Sequence, residues 1–280
     1  MKIIYTEIEM QMFFIRLLQK NLNFFISFLL GLLCLQNDLL ESSSEKIINL
    51  NKFKKDVYSQ CGEDGVIEKI FTILKPTSYC CVEIGAWDGV VLSNTALLER
   101  KGWRRIGFEG DQSKINNNPS VFYEWITPKN INSIFDKYAV PRDLDLLSID
   151  IDSLDFYVWA ALKTNPKVVI IEHNGCWGLT DKVVPYIEDL NWDQTEYFGA
   201  STLNMYRLGL AKGYTFVFSS KCNLIFIKNE CLKDLDIKFL NQGNLSLLAS
   251  LNGGLPRSNK RTITFEEALA ELGRQGVKVD

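Results

Sequence analysis

The chain has 280 residues, room for one large α/β domain with appendages and too few for two full domains. Hydrophobic residues make up 46% of it, which excludes global disorder. A formal net charge of -3 leaves no basic excess, so nucleic acid is not an expected partner.

Near the amino end, Phe24 to Leu35 reads FFISFLLGLLCL behind Arg16 and Lys20. The run is short for a membrane span. It matches a secretory h-region in length and basic flank, yet no small-residue cleavage pattern follows Leu35, and Leu33 before Cys34 does not suit a lipoprotein site. Three readings stay open: a packing or membrane-surface helix, a signal or anchor, and an over-long start with Met10 or Met12 as the true beginning. Glu41 to Lys55 is polar and mixed in charge and reads as a linker. The expected organisation is an extension and linker over residues 1–50, a domain over 51–230 and a tail over 231–280.

Gly62-Glu63-Asp64-Gly65 opens a helix to about Leu74, with Val66, Ile67, Ile70, Phe71 and Leu74 at helical spacing. Glu63 and Asp64 fall in its first turn, where the helix dipole favours negative charge, and Pro76 ends it. Tyr79 to Ile84 reads as a buried parallel strand. The loop Gly85-Ala86-Trp87-Asp88-Gly89 follows, then a helix capped by Ser93 or Asn94 and stopped by Gly102. Arg105 to Phe108 is a second strand, ending at Glu109-Gly110-Asp111. Val121 to Ile126 reads as a third strand and Ile131 to Tyr138 as a short helix. Leu144 to Ile151 is the fourth strand, Phe156 to Leu162 a helix, and Val168 to Ile171 the fifth strand, ending at Glu172-His173-Asn174.

A long aromatic loop runs to Phe198, carrying Trp177, Tyr186, Trp192 and Tyr197. These aromatics either stack on an acceptor or pack the sheet. Ser201 to Lys212 is a helix, and Tyr214 to Phe218 with Leu224 to Ile227 form a hairpin about Lys221-Cys222-Asn223. A helical stretch near Phe265 to Leu272 closes the chain. Strand–helix alternation followed by a hairpin predicts an α/β fold, Rossmann-like and doubly wound, with a mostly parallel sheet and a C-terminal antiparallel hairpin. The seven cysteines form no CxxC pair and read as small apolar residues in a reducing compartment. His173 is the only histidine, so a structural zinc site is not expected.

In such sheets ligands bind where the strands end. Glu83, Glu109 and Asp150/Asp152 all fall there. The loop Glu83-x-Gly85-Ala86-x-Asp88-Gly89 is not a GxGxxG pyrophosphate cradle. Gly85 is read as letting the backbone approach a ligand, and Gly89 as making a tight turn. Carboxylates such as Glu83 and Asp88 suit a cationic cofactor such as adenosylmethionine, which carries a sulfonium and an ammonium in place of phosphate. Glu109 is positioned to accept both hydrogen bonds of a ribose diol. Against this stands the plain alternative that the glycines make a turn and the acids are exposed strand ends.

Several motifs together resemble a branch of the FkbM-like methyltransferases. They are Ser59-Gln60-x-Gly62-Glu63-Asp64-Gly65, Val82 to Gly89, Ser93-Asn94-Thr95, Gly107 to Asp111, Ser148 to Ser153, Pro166 to Val169 with Glu172-x-Asn174, and Lys212-Gly213-Tyr214. The resemblance covers roughly residues 51–228. It implies a class I methyltransferase type of fold and methyl transfer from adenosylmethionine to a hydroxyl on a sugar, glycan or secondary metabolite. The cofactor residues are then Glu83, Gly85, Ala86, Asp88, Gly89, Asn94, Glu109, Gly110 and Asp150. The chain departs from the pattern in its hydrophobic extension and in His173, where a tyrosine is expected.

Candidate catalytic groups are Asp152, Glu172 and His173, with His173 one option for general base. A second option is a divalent metal, magnesium or calcium, on Asp152, Glu172 and Asn174, with Asp152 as a plain helix cap the alternative. A non-catalytic adenosylmethionine- or nucleoside-binding protein and an NAD-linked oxidoreductase are the competing functions. Adenosylmethionine is made inside cells, which points to the cytoplasm or the cytoplasmic face of a membrane. The Phe24–Leu35 run leaves membrane association and secretion open.

Overall fold

The structure, a computed structural model, describes residues 46–240 and 255–277. The chain divides at Ile47, and the fold described belongs to the unit that begins there. The hydrophobic run Phe24–Leu35 lies outside the described residues. Among the described residues no helix is long and apolar enough to cross a membrane.

In chain order the elements are β1 (Lys46–Ile48), α1 (Glu63–Leu74), β2 (Cys80–Ile84), α2 (Ala96–Arg100), β3 (Arg104–Glu109), β4 (Val121–Tyr123), α3 (Ile131–Lys137), β5 (Leu146–Ile149) and α4 (Asp155–Ala161). They continue as β6 (Val168–Glu172), α5 (Thr202–Ala211), β7 (Tyr214–Ser219), β8 (Asn223–Lys228), β9 (Ile237–Phe239) and α6 (Phe265–Arg274). Seven strands form one sheet in the order β4-β3-β2-β5-β6-β8-β7. The five from β4 to β6 run parallel, and β8 is antiparallel to both β6 and β7. The chain enters at β2, moves outward through β3 to β4, then crosses back to β5 and β6. The switch point therefore lies between β2 and β5, where such sheets open a crevice at their carboxyl ends. This is the α/β, doubly wound, mostly parallel fold expected, with its terminal hairpin.

Strand residues alternate between two buried layers, as the pleat requires. Val82, Ile84, Leu147, Ile149, Val169 and Ile171 pack with α4, α5 and α6 on one face. Cys81, Leu146, Val168 and Ile170 pack with α1 on the other. Each such side chain contributes roughly 1.5–3 kcal/mol by leaving water. At the amino end of β5, the buried Asp145 accepts backbone N–H bonds from Thr77, Ser78 and Tyr79 and pairs with Lys167 at 2.9 Å.

Two expectations change. The stretch read as a linker carries β1, which pairs with β9, and Ile48 and Leu50 are buried against Phe239 and α1. Alternation is too brief there to reveal a strand. The third strand stops at Tyr123, and Trp125 and Ile126 turn toward the carboxyl end of the sheet.

Candidate active site

A cleft of about 650 Å³ opens over the carboxyl ends of β2, β3, β5 and β6. Its wall on the β2 side is the loop after Ile84. Gly85 has φ +83, and a Cβ there would stand 1.6 Å from the Asp150 carbonyl oxygen. Glycine is required by the backbone at the end of β5, rather than by close approach of a ligand as expected. The N–H groups of Gly85 and Ala86 both donate to the Phe108 carbonyl at 2.9 Å, fixing the loop to β3. Both residues line the cleft.

Asp88 and Gly89 do not. Asp88 accepts the N–H groups of Val90 and Val91, each at 2.8 Å, and Gly89 closes a turn onto Ala86. The Asp88 carboxylate thus shapes the loop and does not face a cation in the cleft. Trp87, Leu92, Asp152 and Gln194 all line the cleft at positive φ. Non-glycine residues seldom adopt that conformation outside strained functional segments.

Glu83, expected to meet the cation, is 4% exposed and engaged from several sides. It accepts from the Asn94 N–H (2.7 Å), the Ser93 and Thr95 hydroxyls (2.6 and 2.7 Å) and the Arg105 guanidinium (2.8 Å). A buried carboxylate so supplied with donors is an anchor for the turn into α2. The N-cap of α2 is Thr95, neither Ser93 nor Asn94 as expected, although the Ser93 hydroxyl accepts the N–H groups of Thr95 and Ala96 at 3.2 and 3.0 Å. Asn94 turns its side chain to Ser148 at 3.1 Å and lines the cleft, with its Oδ1 buried and without a hydrogen bond.

Glu109 ends β3 with each oxygen on a backbone donor, Oε2 on Trp87 at 2.8 Å and Oε1 on Asp111 at 2.9 Å. The two bonds hold the carboxylate at the cleft wall. Gly110 leaves room for an indole: a Cβ there would come within 2.6 Å of the Trp125 ring. Trp125 is 42% exposed and lines the cleft, as does Lys114, whose ammonium lies over Trp87 at 5.3 Å.

The β5–β6 end is different. Asp150, Asp152 and Glu172 offer oxygens that all lie within 4.8 Å of one another. Burial, and then the neighbouring carboxylates, hold Asp150 and Glu172 well above the usual carboxylate range. Asp152 is raised as well, by burial first, with Lys114 opposing. Oε2 of Glu172 is buried and has no hydrogen-bond partner. The helix cap considered for Asp152 is not seen, since the N-cap of α4 is Leu154 and makes no side-chain bond; Asp155, in the first turn, reaches back to accept from the Ile151 (2.8 Å) and Ser153 (3.1 Å) N–H groups and is pushed up by burial to about 6.

His173 and Asn174 depart from expectation. Adjacent strand residues point to opposite faces, so Glu172 in the cleft puts His173 on the far side. His173 is 2% exposed, its Nδ1 lies 2.7 Å from the Thr202 hydroxyl, and burial pushes its imidazole down to about 4. It is not placed to serve as base for a group in the cleft. Asn174 is fully buried; its amide nitrogen donates to the Glu196 and Phe198 carbonyls, and its oxygen accepts from Cys176. It pins the aromatic loop and is no metal ligand. In that loop Trp177 and Tyr197 pack together, Phe198 is buried and Tyr186 packs on the core, while Trp192 lines the cleft.

Gln60, Lys114, Glu124, Trp125, Gln194 and Cys222 also line the cleft and carried no sequence signal for it, save that Gln60 sits in the SQxGEDG motif. In that motif Asp64 accepts the N–H groups of Val57, Tyr58 and Ser59 and Glu63 that of Cys61, curling the turn that presents Gln60. The described lining holds seven carboxylates (Glu83, Glu109, Asp111, Glu124, Asp150, Asp152, Glu172) against one ammonium, Lys114.

No family model and no curated protein matches the chain. Among solved structures it is similar to an S-adenosylmethionine-dependent methyltransferase from Clostridium acetobutylicum, at 11% identity and TM-score 0.37, over 71% of this chain and 98% of that one. It is also similar to the small RNA methyltransferase HEN1, at 10% identity and TM-score 0.33, over 58% of this chain and 24% of that one. A third likeness is to a SAM dependent methyltransferase from Aquifex aeolicus, at 10% identity and TM-score 0.32, over 57% of this chain and 86% of that one. At these scores the likenesses say nothing of chemistry, which is read from the cleft itself.

Proposed function

We propose that the chain is an adenosylmethionine-dependent methyltransferase of the FkbM-like kind its motifs resemble, acting on a hydroxyl of a small molecule or glycan. One observation carries the reading: a cleft at the switch point whose β5–β6 end brings the oxygens of Asp150, Asp152 and Glu172 within 4.8 Å of one another, with Lys114 the one ammonium in its described lining. A pyrophosphate would be repelled there, whereas a sulfonium and an ammonium are attracted. This weighs against NAD.

Glu109 is assigned to the ribose diol, with its spare lone pairs accepting both hydroxyls. Phe108, Trp125 and Ile126 supply an apolar slot for the adenine. Asp150 faces the cationic end. When bound, adenosylmethionine supplies a methyl carbon on a positively charged sulfur, ready for in-line displacement. The chain's residues hold the acceptor oxygen opposite that sulfur and receive its proton. Glu172 and Asp152 are assigned the proton, since a raised carboxylate is a stronger base than a free one. Trp87 and Trp192, exposed by 47% and 36%, offer flat apolar faces on which a sugar ring stacks.

Asp150, Asp152 and Glu172 are also hard oxygen donors of the type that hold magnesium or calcium. Such an ion would lower the pKa of the acceptor hydroxyl. Full turnover in excess chelator removes that option. An intracellular cofactor accords with the cytoplasm or the cytoplasmic face of a membrane. The ribose assignment is tested with Glu109→Ala in equilibrium dialysis. Adenosylmethionine affinity is expected to fall about 10- to 100-fold, the worth of charge-assisted hydrogen bonds; unchanged affinity in a folded variant contradicts it.

A further inference from the structure

One edge of the cleft carries an apolar surface that its acidic end does not explain. In the loop after β2, four of the six residues from Trp87 to Leu92 are large and apolar. Val90, Val91 and Leu92 are 42%, 50% and 48% exposed, beside the half-exposed Trp87. Trp87, Val91 and Leu92 line the cleft and Val90 does not, so the apolar surface begins in the cleft and continues outside it. The loop is pinned along its length. The Trp87 N–H donates to Glu109 Oε2 at 2.8 Å, the Asn118 amide donates to the Asp88 carbonyl at 2.9 Å, and the Arg105 guanidinium donates to the Gly89 carbonyl at 2.6 Å. The Asp88 carboxylate accepts the N–H groups of Val90 and Val91. Trp87 and Leu92 hold φ +48 and +58, which bulky residues rarely adopt. Apolar side chains turned to water by a pinned and strained backbone form a contact surface, not the by-product of a frayed loop.

We propose that the acceptor is an amphiphile, with a hydroxylated head that enters the cleft and an apolar tail or ring system that leaves it over Val91, Leu92 and Val90. The role of the head rests on the methyltransferase reading, and the tail narrows the substrate class of that same site. Polarity along the cleft carries the inference. Asp150, Asp152 and Glu172 crowd the β5–β6 end, where only a polar or cationic group is accommodated. The aliphatic side chains of Val90, Val91 and Leu92 offer no hydrogen bond to a sugar hydroxyl and gain only when apolar surface covers them. A wholly polar acceptor leaves that loop exposed, and a wholly apolar one strands the acids without partners. A bilayer or a second copy of the chain would cover the loop without filling the acidic end. A single molecule with both parts meets both requirements.

The test is calorimetric titration of the full chain with methyl, hexyl and octyl glucoside, the longer two kept below micelle formation. Affinity is expected to rise about two- to fourfold for each methylene that the loop covers. The series is repeated on a variant carrying Val91→Ser and Leu92→Asn, asparagine being tolerant of the positive φ at 92. Its affinity for octyl glucoside should fall about fivefold or more. Affinity in the parent chain that does not grow with tail length overturns the proposal, as does an equal gain with tail length in the folded variant. Binding to phosphatidylcholine vesicles without binding to the monomeric glucosides also overturns it, and makes the loop a membrane contact instead. These titrations need no adenosylmethionine. A separate titration that finds no adenosylmethionine binding therefore removes the methyltransferase reading, while the glucoside series still decides the amphiphile site.

Discussion

On the β2–β3 side of the cleft every strand-end carboxylate is met by donors. Glu83 has a guanidinium, two hydroxyls and a backbone N–H, and Glu109 has two backbone N–H groups. On the β5–β6 side Asp150, Asp152 and Glu172 crowd within 4.8 Å, and a Glu172 oxygen is buried without a partner. The first half has its charge met by donors within the chain. The second crowds three acids whose charged forms are disfavoured by burial, with Lys114 opposing at Asp152, which is the arrangement a cationic ligand would relieve. Position at a strand end does not decide a carboxylate's role; its donors do.

Breaking the compensated half is expected to have the largest effect. Arg105 has no exposed side-chain surface and bridges Glu83, Glu99 and the Gly89 carbonyl. Arg105→Ala leaves a buried carboxylate unpaired, and denaturant unfolding should show a loss of about 3–5 kcal/mol. Stability within 1 kcal/mol of the parent would mean the pair is not buried as described.

The next effect lies behind the cleft, at His173. A folded-state value near 4 against 6.5 in the unfolded chain corresponds to about 3 kcal/mol. A depressed imidazole contributes stability fully present above pH 6.5 and lost as pH falls through 4. Between pH 7 and pH 4 the parent should therefore lose about 3 kcal/mol more than His173→Gln does. Adenosylmethionine affinity of that variant should stay within about twofold, since His173 does not line the cleft. A large fall would return His173 to the site.

The smallest effect has the opposite sign. Glu172→Gln removes one of three crowded acids and should raise stability by about 0.5–2 kcal/mol while weakening adenosylmethionine. Because the folded value of Glu172 is raised, its destabilisation is absent at low pH and grows as pH rises through that value. The gain should be clear in thermal melts at pH 8 and vanish at pH 4. A loss of stability at both would show that Glu172 is compensated after all.

Nearly all of the sheet was legible in the sequence, because buried parallel strands such as Val168–Glu172 read as short apolar runs and the helices between them keep a period near 3.6. β1 escaped notice because three residues are too few to show a pattern. The site was legible as a set of strand ends but not as a division of labour. Arg105 reaches Glu83 from 22 residues away, and the carbonyl that demands glycine at 85 belongs to Asp150; neither pairing leaves a local trace. The fate of His173 was within reach, since strand alternation sends it to the face opposite Glu172. Trp125 was read as strand and reaches the cleft because β4 stops two residues earlier.

The most direct test of the acidic cleft is calorimetric titration of the full chain with adenosylmethionine and, separately, with NAD. Saturable binding of adenosylmethionine alone is the predicted result. Binding of NAD, or of neither by a demonstrably folded chain, would contradict the account and leave a nucleotide fold without the proposed chemistry.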